Sequence, residues 1–304
     1  MTKKRSQLKA AVAKMVQQCY AWVKDSKLPS KEIELKLIET LRTITKGKIY
    51  VEVERARLTY RLAQMQEGDG DIASAAKTMQ DLQGMFLGDF SYTVIFIGII
   101  YYDHFYYKNS FLFTVETYGS MDKKEKVELI LEQIRLCLAT KDYIRAQIIS
   151  KKISIRFFEN TEHQELKLTF YKYMVELDQH EGTYLNICRH YRAVYDTPCI
   201  KEDDEKKLET LKHMALYVIL SPYDNEQSDT IHHILKEKTL DKIPNYKGLL
   251  EEFTNLELID QAKFSDRYEA HLKNGTNGVS ATTVFDNTDA GQKRWADLKK
   301  VKIR

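Results

Sequence analysis

Eight histidines, four cysteines and one short acidic run are the residues of this 304-residue chain best suited to bind a metal or attack a substrate. His232 and His233 are adjacent. On a helix neighbouring side chains diverge by about 100°, so the pair does not converge on one ion. His180-Glu181 lacks the second histidine of a zinc-protease helix. Glu67-Gly68-Asp69-Gly70-Asp71 has the acidity of a calcium loop without its further spaced oxygens and closing glutamate, and reads as a turn between helices. Cys19, Cys137, Cys188 and Cys199 form no C-x-x-C pair, which argues against a zinc ribbon or a dithiol redox motif. No nucleophile elbow, phosphate-binding loop or dinucleotide fingerprint occurs. Lys123-Lys124, Lys151-Lys152 and Lys206-Lys207 could hold phosphates, but they are scattered and matched by acids, as on solvated helix faces. The expectation is a chain that is not an enzyme, with no catalytic residue, no cofactor and no metal site.

The elements that would position any such site are helices. Only 12 Gly and 4 Pro occur, too few for the frequent turns of an all-β fold. With 43% hydrophobic and 30% charged residues the chain can bury a core, and a net charge of +3 does not by itself imply nucleic acid. Leu8, Val12, Met15, Val16, Cys19 and Val23 fall on one face of a helix. Further stripes are Ile49, Val53, Ala56, Tyr60 and Ala63; Val127, Ile130, Leu131, Ile134 and Leu138; and Leu166, Phe170, Tyr173, Met174 and Leu177. Tyr184, Ile187, Cys188, Tyr191 and Tyr195 form another, and Leu208, Leu211, Ala215 and Val218 the last. Thr161 and Gln164 have capping-box spacing, Pro29-Ser30 reads as a helix start, and Gly182 and Pro198 read as breaks. Lys3-Lys4-Arg5 reads as a solvated helix start. No apolar signal segment follows it, so free thiols in the cytoplasm and nucleus are expected. Asn274-Gly275-Thr276 then reads as a loop.

A weak repeat runs through these helices. Asp71-Ile72-Ala73-Ser74-Ala75 and Asp142-Tyr143-Ile144-Arg145-Ala146 share one form, and Gly182-Thr183-Tyr184-Leu185 sits at a similar turn. The first spacing is too long by the length of an unusual segment, Gly84–Thr114, which holds eleven of the chain's 33 aromatics. Without that segment both spacings approach 40 residues, the period of a helix-pair solenoid. The segment has three readings. Its uncharged run, 90–102, is shorter than the roughly 20 residues of a membrane span. Its aromatic and β-branched residues would suit a hairpin or partner motif. Its end codons also permit a splice donor at Gly84-Met85 and an acceptor at Thr114-Val115, so that excision keeps the frame and leaves one valine. The retained-intron reading is preferred. The expected organisation is all-α: N-terminal helical repeats in 1–83, an aromatic insertion in 84–114, helical repeats in 115–221, and a looser helical region in 222–304 with a break near 274–283.

Several strings carry a resemblance. They include Lys4-Arg5-Ser6-Gln7-Leu8-Lys9, Gly47-Lys48-Ile49-Tyr50-Val51-Glu52, Glu116-Thr117-Tyr118-Gly119-Ser120-Met121 and Val127-Glu128-Leu129-Ile130-Leu131-Glu132-Gln133. Asp178-Gln179-His180-Glu181-Gly182, Tyr195-Asp196-Thr197-Pro198-Cys199-Ile200, Asp224-Asn225-Glu226-Gln227-Ser228-Asp229 and Lys293-Arg294-Trp295 complete them. Over about 1–83 and 115–300 the chain resembles the PCI-family subunits of the proteasome regulatory-particle lid. The resemblance implies a TPR-like helix-pair solenoid, truncated here before the PCI winged helix and begun inside the family's N-terminal array. It implies a non-catalytic scaffold in ubiquitin-dependent protein degradation. The implied partners are other lid subunits, PCI subunits and the deubiquitinating subunit among them, with no nucleic acid and no membrane unless 84–114 is an anchor. The alternatives are the related PCI subunit of the COP9 signalosome and a membrane-tethered helical-repeat adaptor.

Overall fold

The computed structural model describes residues 9–25, 30–84, 121–255, 259–274 and 282–301. Helices make up the fold, and no β-strand is present among the described residues. The chain divides into two compact units, 1–153 and 154–304.

The first unit is a series of helix pairs: α1 (Lys9–Lys24), α2 (Lys31–Thr45), α3 (Glu52–Gly68), α4 (Ile72–Gly84), α5 (Lys123–Ala139) and α6 (Tyr143–Ser150). Ser30 caps α2, its hydroxyl accepting from the Glu32 amide at 3.3 Å. Val23 of α1, Ile38 and Leu41 of α2, and Leu58, Leu62 and Met65 of α3 form one buried cluster. On the other side of α3, Ala56 and Ala63 meet Ala75, Ala76 and Met79 of α4 and Leu129 and Leu136 of α5. The small alanine side chains let the helices approach closely beside the larger leucines of α5. Ile49 belongs to a short 3-10 turn, Ile49–Val51, and α3 begins only at Glu52.

The second unit contains α7 (Gln164–Glu181), α8 (Tyr184–Tyr195), α9 (Pro198–Glu202), α10 (Asp204–Leu220), α11 (Asn225–Leu235) and α12 (Pro244–Thr254). Helix α13 starts at Gln261–Phe264 and continues through a π-helical turn, Ser265–Glu269, into Ala270–Asn274. Helix α14 is Asp289–Val301. The Thr161–Gln164 capping box does not form. Thr161–His163 is a 3-10 turn capped by Asn160, and the Gln164 side chain accepts from the Cys199 amide at 3.1 Å instead. Every residue from Thr210 to Leu220 in α10 is buried. That makes α10 the centre of one contiguous core, which runs from Val175 and Ile187 through Tyr217, Ile234 and Tyr246 to Phe285, Trp295 and Leu298. Described residues between Ile231 and Leu298 complete that core. The expected break begins where α13 ends at Asn274; residues 275–281 lie outside the described residues.

Three hairpin turns share one hydrogen-bond pattern. The amides of Asp71, Asp142 and Thr183 donate to the carbonyls of Gln66, Cys137 and Asp178, at 3.0, 2.8 and 3.1 Å. This is the Schellman closure, in which the preceding residue is left-handed. Gly70 and Gly182 take that conformation at φ 87° and 75°, and Lys141 takes it at φ 58°. Asp71 and Asp142 then cap α4 and α6, accepting from the amides of Ser74 at 2.9 Å and Arg145 at 3.2 Å. Four residues after each turn Ala75, Ala146 and Ile187 are buried. The Asp-apolar-x-x-Ala string is thus a joint, and its spacing is that of the hairpins.

Candidate functional site

Among the described residues, the histidines, cysteines and acids singled out in the sequence lie in separate places. His232 and His233 are both exposed on α11, flanking inward Ile231 and Ile234. In the acidic run Glu67 pairs with Arg135, Asp69 with Lys31, and Asp71 with the start of α4. Cys137 and Cys188 are buried, and all four thiols are free. Burial pushes the Cys188 thiol up to about 12, and Cys188 donates to the Met214 carbonyl at 3.6 Å. A thiol so placed is inert. Lys206 pairs with Asp203, while Lys207 lies over the Tyr195 ring at 5.7 Å. Among the described residues no group of three or more His, Cys, Asp or Glu could hold a metal ion. No helix of those residues is long and apolar enough to cross a membrane. Gly84 ends α4; the rest of the 84–114 segment lies outside the described residues.

What the structure does build is a set of polar joints, and the distinctive strings fall on them. Asp178, 5% exposed, accepts from Thr183 Oγ1 at 2.9 Å and lies 2.8 Å from His190 Nε2, which locks the α7–α8 turn. Thr197, fully buried, donates to the Ala193 carbonyl at 3.1 Å where α8 gives way to α9. Gln227 donates to the Val218 carbonyl at 3.2 Å, fixing α11 on α10. Arg294 Nε donates to the Val284 carbonyl at 2.7 Å, and Trp295 packs on Phe285 with ring centroids 5.2 Å apart. Between α8 and α10, Tyr191 stacks on His213 at 4.9 Å and on Tyr217 at 5.8 Å. His213 Nδ1 lies 2.9 Å from the Glu209 carbonyl, and burial holds its pKa below the ordinary imidazole value. Tyr184 and Tyr191 share one stripe in the sequence, whereas Asp178 and Arg294 stand out there only within their strings, with nothing to mark the burial of the one or the clamp of the other.

Several large apolar side chains are exposed. Trp22, Ile33, Ile72, Ile144 and Ile148 are exposed in the first unit, and Ile155 and Tyr223 in the second. Stacked helix pairs form extended surfaces of the kind that repeat proteins use for binding.

The family model PSMD12/CSN4, N-terminal, matches residues 1–84 and 112–203. The 26S proteasome non-ATPase regulatory subunit 12 of Dictyostelium discoideum is 38% identical over 300 residues, covering 99% of this chain and 58% of that protein. The 26S proteasome regulatory subunit rpn501 of Schizosaccharomyces pombe is 38% identical over 298 residues, 98% of this chain and 58% of its own length. The 26S proteasome regulatory subunit RPN5 of Saccharomyces cerevisiae is 32% identical over 300 residues, 99% of this chain and 59% of its own. The chain spans about three-fifths of the length of these curated relatives. Since the family model covers more than half of its residues, the chain belongs to the PSMD12/CSN4 N-terminal family.

Proposed function

We propose that the chain is a non-catalytic scaffold subunit of the proteasome regulatory-particle lid, supporting ubiquitin-dependent protein degradation. The observation that carries this reading is the similarity, over nearly the whole chain, to relatives from separate organisms that are all named as 26S proteasome regulatory subunits. The fold supports it: helix pairs joined by repeated turns, with the distinctive polar residues spent on joints. Its partners on this reading are other lid subunits, PCI subunits and the deubiquitinating subunit among them, in cytoplasm and nucleus. The family model's description also carries the CSN4 name, which keeps a signalosome subunit as the second reading. Affinity purification of the tagged chain from cells, with quantitative mass spectrometry, separates the two. Lid subunits at near-equal stoichiometry support the proposal. Signalosome subunits, or neither set, overturn it.

We also read 84–114 as an insertion into the array, with retained intron as its origin. Two observations support this: the family match breaks between 84 and 112, and α4 and α5, which flank the segment, pack on each other. Transcripts joining the Gln83 codon directly to a valine codon are the expected result. Mature message that always includes the segment would refute it.

A further inference from the structure

We propose that the outward face of α6 docks an acidic amphipathic helix of a partner protein. The three shared turns align α4, α6 and α8 residue for residue, with Asp71, Asp142 and Thr183 as equivalent starting points. Their inward positions agree, as the buried Ala75, Ala146 and Ile187 show. Their outward positions do not. Two and six residues after the starting point, α4 carries Ala73 and Lys77, both exposed. At the same places α8 carries half-buried Leu185 and exposed Arg189, the latter paired with Glu226. Helix α6 carries Ile144 and Ile148 there, 77% and 49% exposed. Hairpin packing does not require apolar residues at these positions, because the other two helices close without a matching pair.

In the stretch 141–152 that carries this ridge, basic residues outnumber acids. Lys141, Arg145 and Lys151 are exposed, and partly buried Lys152 follows them. The acid of the stretch 141–152 is Asp142, which caps α6 and pairs with Arg145 at 3.4 Å. A single exposed isoleucine needs no explanation. Two of them four residues apart make the kind of ridge that seats in the groove of another helix. Basic residues beside that ridge favour acidic flanks on the incoming helix and disfavour basic ones. The inference deepens the proposed function by naming a partner chemistry, and it rests on the chain being an interaction subunit.

The test uses the full chain and three fluorescent peptides of about 18 residues, five helical turns. One has a leucine face flanked by glutamates, one has the same face flanked by lysines, and one has the acidic composition in scrambled order. Fluorescence anisotropy should show binding of the acidic amphipathic peptide and no comparable binding of the other two. Ile144→Ser with Ile148→Ser should weaken it about tenfold or more, a loss of roughly 1.4 kcal/mol. Arg145→Glu with Lys151→Glu should reverse the preference toward the lysine peptide. Circular dichroism should show that each variant keeps its helicity, as substitutions at exposed positions should. No binding of the acidic peptide, equal binding of the scrambled one, or indifference to both double variants would overturn the proposal. So would flotation of the chain with anionic phospholipid vesicles that depends on Ile144 and Ile148 when the acidic peptide does not bind, which would reassign the face to a membrane. Recovery of lid subunits from cells is a separate readout, so the two proposals can fail independently.

Discussion

In the first unit α3 is fastened by carboxylate–guanidinium forks. Arg57 donates to Glu125 at 2.5 and 2.8 Å near the start of α5, and Arg135 donates to Glu67 at 2.7 and 2.6 Å near its end. Arg61 reaches Glu34 of α2 at 2.9 Å, and Gln17 of α1 reaches Glu54 at 2.7 Å. In the second unit the buried half of α10, residues 210–220, sits inside a single apolar core drawn from elements as far apart in sequence as α8 and α14. The first unit is assembled pair by pair, so a disturbance at one pair is carried mainly to its neighbours. The second is assembled all at once, and a disturbance at its rim reaches the centre.

The sharpest test of the second unit's dependence on its rim is Gly291→Ala. A Cβ at Gly291 would lie 2.2 Å from both the backbone oxygen and Oδ1 of Asp286, and 2.8 Å from its amide. Helix α14 would have to move away from the Thr283–Phe285 turn, loosening Trp295 from Phe285. A loss of about 3 kcal/mol is expected, from a clash that backbone cannot relieve cheaply. Chemical denaturation should show it as a lowered midpoint of the second unit. A change no larger than that of exposed Ala290→Gly would break the comparison.

The matching test of the first unit is Arg135→Met. This guanidinium also donates to Glu132, at 2.9 and 2.7 Å, so one substitution strips two carboxylates of their partner. The groups are about a third exposed, so solvent takes up part of the loss, and about 1–2 kcal/mol is expected. Hydrogen exchange should rise in α3 and α5 and stay unchanged in α10. Double-mutant cycles with Glu67→Gln give the coupling directly.

Acid should also distinguish the units between neutral pH and pH 5. The folded state holds buried His213 below the ordinary imidazole pKa, so the unfolded chain binds more protons in that window. Stability of the second unit is therefore full above about pH 6.5 and falls as pH drops below it. His213→Phe should flatten the slope, with His271, also lowered by burial, supplying what remains. In the first unit the carboxylates Glu67 and Asp71 are lowered by their hydrogen bonds, and that stability is lost only as pH falls through the acidic range below about 4.5. Thermal denaturation across this range checks both windows.

The helices and the joints were unequally legible. The stripes on α5 and α7 announced their helices because one apolar face recurs at helical spacing. The stripe Leu208, Leu211, Ala215 and Val218 found α10 but not its burial on every face, since tertiary packing also covers Lys212 and His213. Gly182 signalled a turn because glycine favours positive φ; Lys141 occupies the same left-handed position with nothing in its side chain to mark it. Lys141→Gly should thus stabilise the α5–α6 joint by about 1 kcal/mol, while Gly70→Ala should destabilise the α3–α4 joint by a similar amount. Thermal melts of the two variants would move in opposite directions. The polar joints were legible only as strings, because Asp178, Arg294 and Gln227 act on groups that sequence spacing does not bring together.

Only a small effect is expected from the largest change, deletion of 84–114. The two forks fix the relative direction of the helices around the segment. Arg57 at the start of α3 meets Glu125 at the start of α5, and Glu67 at the end of α3 meets Arg135 at the end of α5. Helices α3 and α5 are therefore parallel. A tight turn folds α4 back on α3, so the end of α4 lies beside the start of α5. Gln133 of α5 donates to the Met79 carbonyl of α4 at 3.4 Å, which places the two helices in contact. Joining Gln83 to Val115 leaves residues 115–122 to cross that gap, a reach of roughly 26 Å when extended, against the 8–10 Å typical between packed helix axes. Closure cost varies with the logarithm of loop length, so shortening the connection should stabilise the first unit by about 1.4 kcal/mol at most. Hydrogen exchange of α4 and α5 should be preserved in the deletion variant. Loss of protection in both would mean that the segment supplies part of their packing, and the pairwise assembly inferred for the first unit would fail with it.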